Sequence, residues 1–473
     1  MTTPADAIAP AHEPVSSTTQ PEPSLTIDPA PGRWRDLILN AWKNRNAERA
    51  RTFRHELGLP IDRPIVMTGH QLEVWHPGVL AKFYACEAAA RTADAATAWV
   101  MVDQDESSFW NLRAPVVDRD GVIRSETASL LSPGARPPVG AAVGACPAFP
   151  PESPAYSGAP ALKTIKPASA RLVESLQRRQ SAGSAARQIG ASVAELAAPL
   201  LAAAPTVYAT DLAGATLFKE LVERMRTAPR EVAQAYNAAV RANPGAGVAE
   251  LRIGDRDEQI ELPLWRAPKC APRRRVLCGE LADIPRDELA PKALLLTLIF
   301  RLAGCELFIH GTGGAAYDAV TDAWSQSWLG ETPAPRALVT ATLRLPLPGA
   351  DASADDLRIA RWRAHHARHN PELLGLDALG ARKRDLARRI DTLREQGEDA
   401  SALFRDMHDL LETARREGER ELKRLDESTR RAELALESAE AAKDRTWPFI
   451  WHEPDALRAL RNRVHSTFDG HAS

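Results

Sequence analysis

The chain has 473 residues, enough for a sizeable core and for roughly two or three structural units. Its 60 Lys and Arg residues balance 62 Asp and Glu residues, and a net charge of -2 gives no overall reason to expect a nucleic-acid partner. Five cysteines without regular spacing exclude a disulfide framework of the secreted kind and favour reduced thiols in a cytoplasmic protein.

The first 32 residues are rich in Pro, Ala, Ser and Thr, and they lack both a basic start and a continuous apolar segment. We therefore predict a disordered tail over residues 1–32 rather than a signal peptide or a membrane anchor. A helix is predicted over residues 34–57, because its apolar side chains recur with helical period until Gly58 and Pro60. No later run is long and apolar enough to span a bilayer, so no membrane partner is expected.

An apolar run at residues 65–67 ends in Thr68-Gly69-His70-Gln71, and His76 then precedes a helix predicted over residues 79–91. This pattern indicates a buried strand that delivers a polar turn to the start of a helix. Unpaired backbone N–H groups at a helix start favour anions. We predict that this turn forms the floor of an active site.

A second apolar strand at residues 98–102 ends in Asp103, Gln104, Asp105 and Glu106, with Asn111 shortly after. A strand, a helix and a second strand form a βαβ unit whose polar strand ends lie side by side. Such carboxylates can hold an ammonium group, accept a proton, or bind Mg²⁺ that carries phosphates. The alternative is a loop of solvated acids that caps a helix. We favour the functional interpretation.

Residues 115–160 predict a small β excursion followed by a loop rich in Pro and Gly. A late strand at residues 306–310 leads into Gly311-Thr312-Gly313-Gly314 and a helix over residues 315–329, with Tyr317 and Asp318 at its start. Glycines there would let the backbone approach a ligand closely, although a tight turn needs glycine in any case. The chain has neither a P-loop motif nor a Gly-x-Ser-x-Gly elbow.

Metal binding is not predicted. His70 and His76 have a spacing that suits no standard helical metal motif, and Cys270 and Cys278 are too far apart for a Cys-x-x-Cys knuckle.

From residue 379 the chain consists mainly of Ala, Leu, Glu, Arg, Lys and Asp, with apolar residues three and four apart, which is typical of a coiled coil. Gly397 is a plausible reversal, so we predict a C-terminal antiparallel coiled-coil hairpin in preference to one continuous helix. The predicted units are an α/β core over residues 33–350, a helical linker and arm over 351–446, and an aromatic segment over 447–473. We expect that segment to pack on the body or on a second subunit.

These motifs together resemble the bacillithiol biosynthesis cysteine-adding enzyme family, and the similarity extends in order from about residue 65 to residue 451. Thr68, Gly69 and Gln71 match the early turn of the family, where a glutamine stands in place of His70. The acidic strand end at residues 103–106 lacks the family's histidine. The late turn keeps Gly313, Gly314 and Tyr317 but lacks the family's glutamate.

The resemblance implies a Rossmann-like parallel sheet core, dimerisation through the coiled-coil arm, and a ligase that joins the carboxylate of cysteine to the amine of an aminosugar. Amide formation in water requires an activated carboxylate, so ATP or another nucleotide is expected. The expected catalytic residues are His70, Gln71, Asp103 and Asp105. The expected substrate-binding or nucleotide-binding residues are Thr68, Gly69, His76, Glu106, Asn111, Gly311, Thr312, Gly313, Gly314, Tyr317 and Asp318.

Two other function classes compete with this one. The chain could be a non-catalytic assembly protein, in which the coiled-coil arm forms a homodimer and the pocket is degenerate. A nucleic-acid partner bound through the arginines of the arm is disfavoured, because those arginines alternate with acids in the manner of a solvated helix face.

Overall fold

A computed structural model describes residues 23–132 and 134–469, with the backbone alone for Ala315 and Ala316. Its strands are β1 (Ser24–Asp28), β2 (Ile65–Gln71), β3 (Ala96–Val102), β4 (Asn111–Val117), β5 (Ile123–Ser129), β6 (Ala159–Pro160), β7 (Thr206–Tyr208), β8 (Glu261–Arg266), β9 (Arg274–Leu277), β10 (Leu289–Pro291), β11 (Leu307–His310) and β12 (Arg336–Thr342). Its α-helices are α1 (Trp34–Asn44), α2 (Ala47–Glu56), α3 (Pro77–Ala93), α4 (Ile165–Gln177), α5 (Ala185–Ala197), α6 (Thr216–Thr227), α7 (Pro229–Ala242), α8 (Ala293–Ile299), α9 (Thr312–Leu329), α10 (Ala354–Ala367), α11 (Asp377–Glu395), α12 (Ser401–Glu417), α13 (Glu419–Glu437), α14 (Ala439–Lys443) and α15 (Pro454–Asp469).

The main sheet has six strands in the order β1-β12-β11-β2-β3-β7. Neighbouring strands in this sheet are parallel, except that β1 runs antiparallel to β12. From β2 the chain proceeds outward through β3 to β7 on one side, and it then returns to add β11 and β12 on the other. The strand order therefore reverses between β2 and β11, which opens a crevice at the carboxyl ends of these two strands.

The sequence of β2 explains its place inside the sheet. Ile65, Val66 and Met67 are completely buried, and alternate residues of a strand point to opposite faces. Val66 packs in the core that contains α3 and α15, whereas Ile65 and Met67 pack in the second core, with α6 to α9. Because both faces are covered, the strand is a continuous apolar run rather than an alternating pattern.

The N-terminal part of the chain differs from the prediction at two places. Residues 24–28, assigned to the disordered tail, form β1 and pair with β12 from Ser24↔Thr342 to Asp28↔Leu338. The predicted tail residues 1–22 lie outside the described part of the chain. The single helix predicted over residues 34–57 is divided into α1 and α2, because the side chain of Asn46 accepts a hydrogen bond from the Arg49 amide and starts a new helix.

Two small antiparallel sheets accompany the main one, with the orders β5-β4-β6 and β10-β8-β9. The strands of the first lie at residues 111–160, where a β excursion was predicted. The second lies beside the mouth of the crevice and contributes to its wall through Glu261, Trp265 and Arg275.

The C-terminal helices pack in pairs. Arg361 of α10 pairs with Glu433 of α13, and Arg368 pairs with Asp426, so these two helices run antiparallel. Helices α11 and α12 pack together through Leu386, Ile390, Leu403 and Leu410. They are joined by a turn in which Gly397 has a φ of 72°, a left-handed conformation that suits glycine. The helix therefore does not continue through Gly397.

The segment after α14 returns to the main body. Trp447, Phe449 and Trp451 are buried in the same core as α3, and the Phe449 amide donates a hydrogen bond to the Trp75 carbonyl oxygen. Among the residues that the structure describes, no helix combines the length and apolar character needed to cross a membrane.

Candidate functional site

A cavity of about 660 Å³ lies at the crevice, where the ends of β2 and β11 meet the first turns of α3 and α9. Its volume is in the usual range for small-molecule sites. Glycines 69, 311, 313 and 314 line it. Its other polar lining residues include His70, Gln71, His76, Lys82, Gln104, Asp105, Glu250, Glu261, Trp265, Arg273, Arg275, Lys292, His310, Thr312, Tyr317 and Arg445.

Thr68 and Gly69 hold the strands together rather than presenting side chains to the cavity. The Thr68 hydroxyl is buried and donates a hydrogen bond to the Ile309 carbonyl oxygen at 2.9 Å. A Cβ at Gly69 would lie 2.5 Å from the carbonyl oxygen of Val100 on β3, so only glycine permits this close pairing. Thr68 does not line the cavity, and Gly69 contributes only backbone atoms to it.

Lys82 lines the cavity but was not predicted from the sequence. It lies on α3, is only 3% exposed, and its Nζ donates a hydrogen bond to the Gly69 carbonyl oxygen at 2.7 Å. Burial lowers the pKa of Lys82 to about 7, although the charge of Glu73 opposes this shift. A signal was present in the sequence, because Lys82 is a lone charged residue in the apolar first half of α3.

The histidines predicted beside this turn do line the cavity. The Nε2 atom of His70 lies 2.8 Å from Oε1 of Glu73. His76 caps α3, with its Nδ1 accepting a hydrogen bond from the Gly78 amide. Burial lowers the pKa of both imidazoles, to about 4 for His76, and the charge of Lys82 adds to the effect. Both rings are therefore neutral near pH 7, and His76 acts chiefly as a helix cap.

The acidic strand end is divided between two environments. Asp103 is buried outside the cavity wall, where it accepts hydrogen bonds from the backbone amide and the hydroxyl of Thr210 at 2.9 and 2.6 Å. Burial raises its pKa to about 6. Asp105 does line the cavity, pairs with Arg273 at 2.7 Å and accepts a hydrogen bond from Gln71 at 3.4 Å.

Of the acids predicted here, Asp105 lines the cavity, where it meets Gln71 of β2. Glu106 is exposed, Asn111 begins β4, and neither lines the cavity. Asp103 links the ends of β3 and β7, a structural role that the pattern of acids could not distinguish from a catalytic one.

The first turn of α9 forms the opposite wall. Gly311 is the N-cap residue of α9 and, as a glycine, has no side chain that could bond to the backbone N–H groups of this turn. The predicted residues Thr312, Gly313, Gly314 and Tyr317 line the cavity, whereas Asp318 is buried behind it. A Cβ at Gly311 would lie 3.6 Å from Cδ of Lys82, which places the lysine stem against the start of α9.

The third wall is cationic and was not predicted. Arg273 and Lys292 lie over the ring of Trp265, 4.9 and 4.8 Å from its centroid. Glu261 is buried and pairs with Lys292 and Arg275. The residues of this wall lie far in the sequence from those of the other walls, so no local sequence pattern could link them to the cavity. The lining carries Lys82, Arg273, Arg275, Lys292 and Arg445 against Asp105, Glu250 and Glu261.

This arrangement is suited to an anion. The starts of α3 and α9 follow adjacent parallel strands, so two helix N-termini and their partial positive charges face one cavity. In the described ranges, no group of three His, Cys, Asp or Glu residues has the geometry to hold a metal ion.

No protein-family model and no curated protein matches the sequence of this chain. The similarity to the cysteine-adding enzymes therefore rests on the short motifs around residues 68–71, 103–106 and 311–317.

Proposed function

We propose that this protein is a carbon–nitrogen ligase that binds a nucleotide or another phosphate-bearing ligand in the cavity and joins an activated carboxylate to the amine of a small metabolite. The observation that carries the proposal is the position of Lys82, a buried ammonium group beside the uncapped start of α9. On this proposal the core is Rossmann-like, with its ligand at the reversal of strand order.

The cavity residues have separable roles. Backbone N–H groups of residues 311–314 donate to phosphate oxygens, and Lys82 supplies a charge at close range. When bound, a nucleoside triphosphate supplies the group that activates the carboxylate. Asp105 and Gln71 bind polar groups of the second substrate at the end of β2, where Arg273 pairs with the Asp105 carboxylate. An aminosugar amine is the partner that the sequence resemblance suggests.

Calorimetry with ATP, AMP and pyrophosphate tests the proposal. We expect binding at about pH 7.5 with uptake of up to about one proton, because a phosphate beside Lys82 raises a pKa that burial holds near 7. Titration in two buffers with different ionisation enthalpies measures this uptake. The affinity should fall as pH rises above 8, where unliganded Lys82 is neutral. Absence of binding by all three compounds would refute the proposal.

A second candidate function, assembly through the C-terminal helices, is favoured by large apolar side chains exposed there. Ile359 and Trp362 of α10 and Phe404 of α12 are each about half exposed, at 43%, 53% and 44%. If α10 forms a homodimer contact, the intact chain sediments as a dimer and Trp362→Glu sediments as a monomer. Val139→Glu, at an exposed valine of the main body, is the control and should not change the mass. Equal masses for the Trp362 variant and the parent would exclude this contact.

A further inference from the structure

His310 ends β11 and faces the cavity, with only 8% of its surface exposed. Its Nε2 atom lies 3.2 Å from Oδ1 of Asp318, a residue of α9 that is 1% exposed. A carboxylate directly behind a cavity-lining imidazole is the arrangement in which the carboxylate fixes the orientation and the tautomer of the ring.

The partners of Asp318 show that it is not simply half of a structural ion pair. Arg301 makes its short contact, 2.6 Å, with Asp322 one helical turn later, and approaches Asp318 only to 3.5 Å. Arg336 likewise lies closer to Asp322, at 3.3 Å, than to Asp318, at 4.0 Å. Asp322 is therefore the principal partner of both arginines.

In the described part of the chain, the Asp318 carboxylate is buried but lacks the hydrogen bonds that a buried carboxylate usually accepts. Within residues 23–132 and 134–469, neither of its oxygens, nor Nε2 of His310, makes a well-aligned hydrogen bond. A buried carboxylate without aligned donors costs folding free energy, which argues that the site retains it for another purpose.

The other ring nitrogen is oriented toward the anion site. A Cβ at position 314 would lie 2.3 Å from Nδ1 of His310, so the ring occupies the space that glycine leaves at the first turn of α9. The rings of Phe308 and Tyr317 flank it, with centroids at 4.6 and 6.2 Å, and limit its rotation. Nε2 thus faces Asp318, whereas Nδ1 faces the start of the helix.

We propose that His310 is the proton acceptor of this cavity and that Asp318 is its positioning residue. The negative charge of the Asp318 carboxylate, 3.2 Å from Nε2, favours the tautomer that carries its proton on Nε2, so that Nδ1 keeps a free lone pair. In the ligase reaction, on whose assignment this step rests, the amine nitrogen attacks the activated carbonyl carbon. A C–N bond forms, the bond from that carbon to its leaving oxygen breaks, and the leaving group departs with the electron pair. Nδ1 takes the proton that the amine releases.

The charges around His310 are consistent with a neutral base. Burial lowers its pKa most, and the charges of Lys82 and Arg301 lower it further, whereas Asp318 raises it. Lys82 donates a hydrogen bond to the Gly69 carbonyl oxygen. In this proposal Lys82 balances the phosphate charge, whereas His310 accepts the proton.

Nitrogen-15 NMR of histidine-labelled protein tests the tautomer without any substrate. The signals of His310 are identified by their absence in His310→Gln. At about pH 7 we expect a neutral ring with its proton on Nε2, and we expect Asp318→Asn to lose this preference. Asp322→Asn is the matched control, because it lies on the same helix and contacts the same arginines without contacting His310. A proton on Nδ1 in the parent protein, or an unchanged tautomer in Asp318→Asn, would overturn the proposal.

Kinetics separate this inference from the proposed function. If the parent protein forms amide product, His310→Gln should lower kcat by about 10²-fold or more with little change in the nucleotide KM, and Asp318→Asn should lower it less. Asp322→Asn should retain the parental kcat. Unchanged kcat in His310→Gln would refute the catalytic role while leaving the ligase assignment intact. A parent protein that binds no nucleotide would instead refute the ligase assignment, and the NMR experiment would still decide the tautomer.

Discussion

Lys82→Met is expected to weaken the binding of ATP and pyrophosphate by about 100-fold or more and to stabilise the folded protein at the same time. The loss of affinity follows from removing the buried charge that lies beside the start of α9, where a charge-assisted hydrogen bond to phosphate is strong. Calorimetry measures the affinity, and urea unfolding measures the stability.

The gain in stability has a defined dependence on pH. Burial lowers the pKa of Lys82 from 10.5 to about 7, so below pH 7 the native protein carries an ammonium group that is unfavourable inside it. Between pH 7 and 10.5 the native protein releases this proton while the unfolded chain retains it, and the penalty is progressively relieved. We expect Lys82→Met to raise the free energy of unfolding by about 2–4 kcal/mol at pH 6.5, and by much less at about pH 10.

The matched control is Lys292→Met, which removes a second lysine from the same cavity. Lys292 pairs with Glu261, which is 3% exposed, so its loss leaves a buried carboxylate with weaker compensation from Arg275. We expect this variant to be less stable than the parent. If Lys82→Met binds pyrophosphate as tightly as the parent, or is less stable at pH 6.5, the assigned role of Lys82 is wrong.

Gly69→Ala is expected to destabilise the protein by about 3 kcal/mol or more, since small-to-large changes in a packed interior force the backbone to move. Its Cβ would lie 2.5 Å from the carbonyl oxygen of Val100 and 2.8 Å from the Cβ of the same residue. Val100 is directly opposite in the β2–β3 register, and a backbone oxygen cannot rotate away as a side chain would.

Gly313→Ala provides the comparison for this variant. Gly313 also lines the cavity, but a Cβ there would meet nothing within 4 Å, and the residue lies in the first turn of α9. The stability of this variant should stay within about 1 kcal/mol of the parent. Thermal or urea unfolding of the two variants measures the difference. Equal stabilities would show that β2 and β3 can separate at no cost.

Local patterns predicted much of the scaffold around the cavity. The apolar run at residues 65–67 did predict a buried strand that precedes a helix. The turn predicted at residues 68–71 was wrong, because these four residues continue β2 and pair with β3. The turn at residues 311–314 begins a helix after a buried strand. What these patterns do not contain is side-chain direction, and for that reason Asp103 was assigned to the cavity although it is turned toward Thr210.

The sequence by itself determined where the strands end in polar residues and that glycines stand at two helix starts. Only the tertiary structure decided which of these ends meet. Strand β11 lies beside β2 although the Thr68–Ile309 hydrogen bond spans 241 residues, and this pairing brings Lys82, His310 and the start of α9 together. Pairing between distant strands depends on the crossovers that connect them, and these crossovers leave no mark in local periodicity.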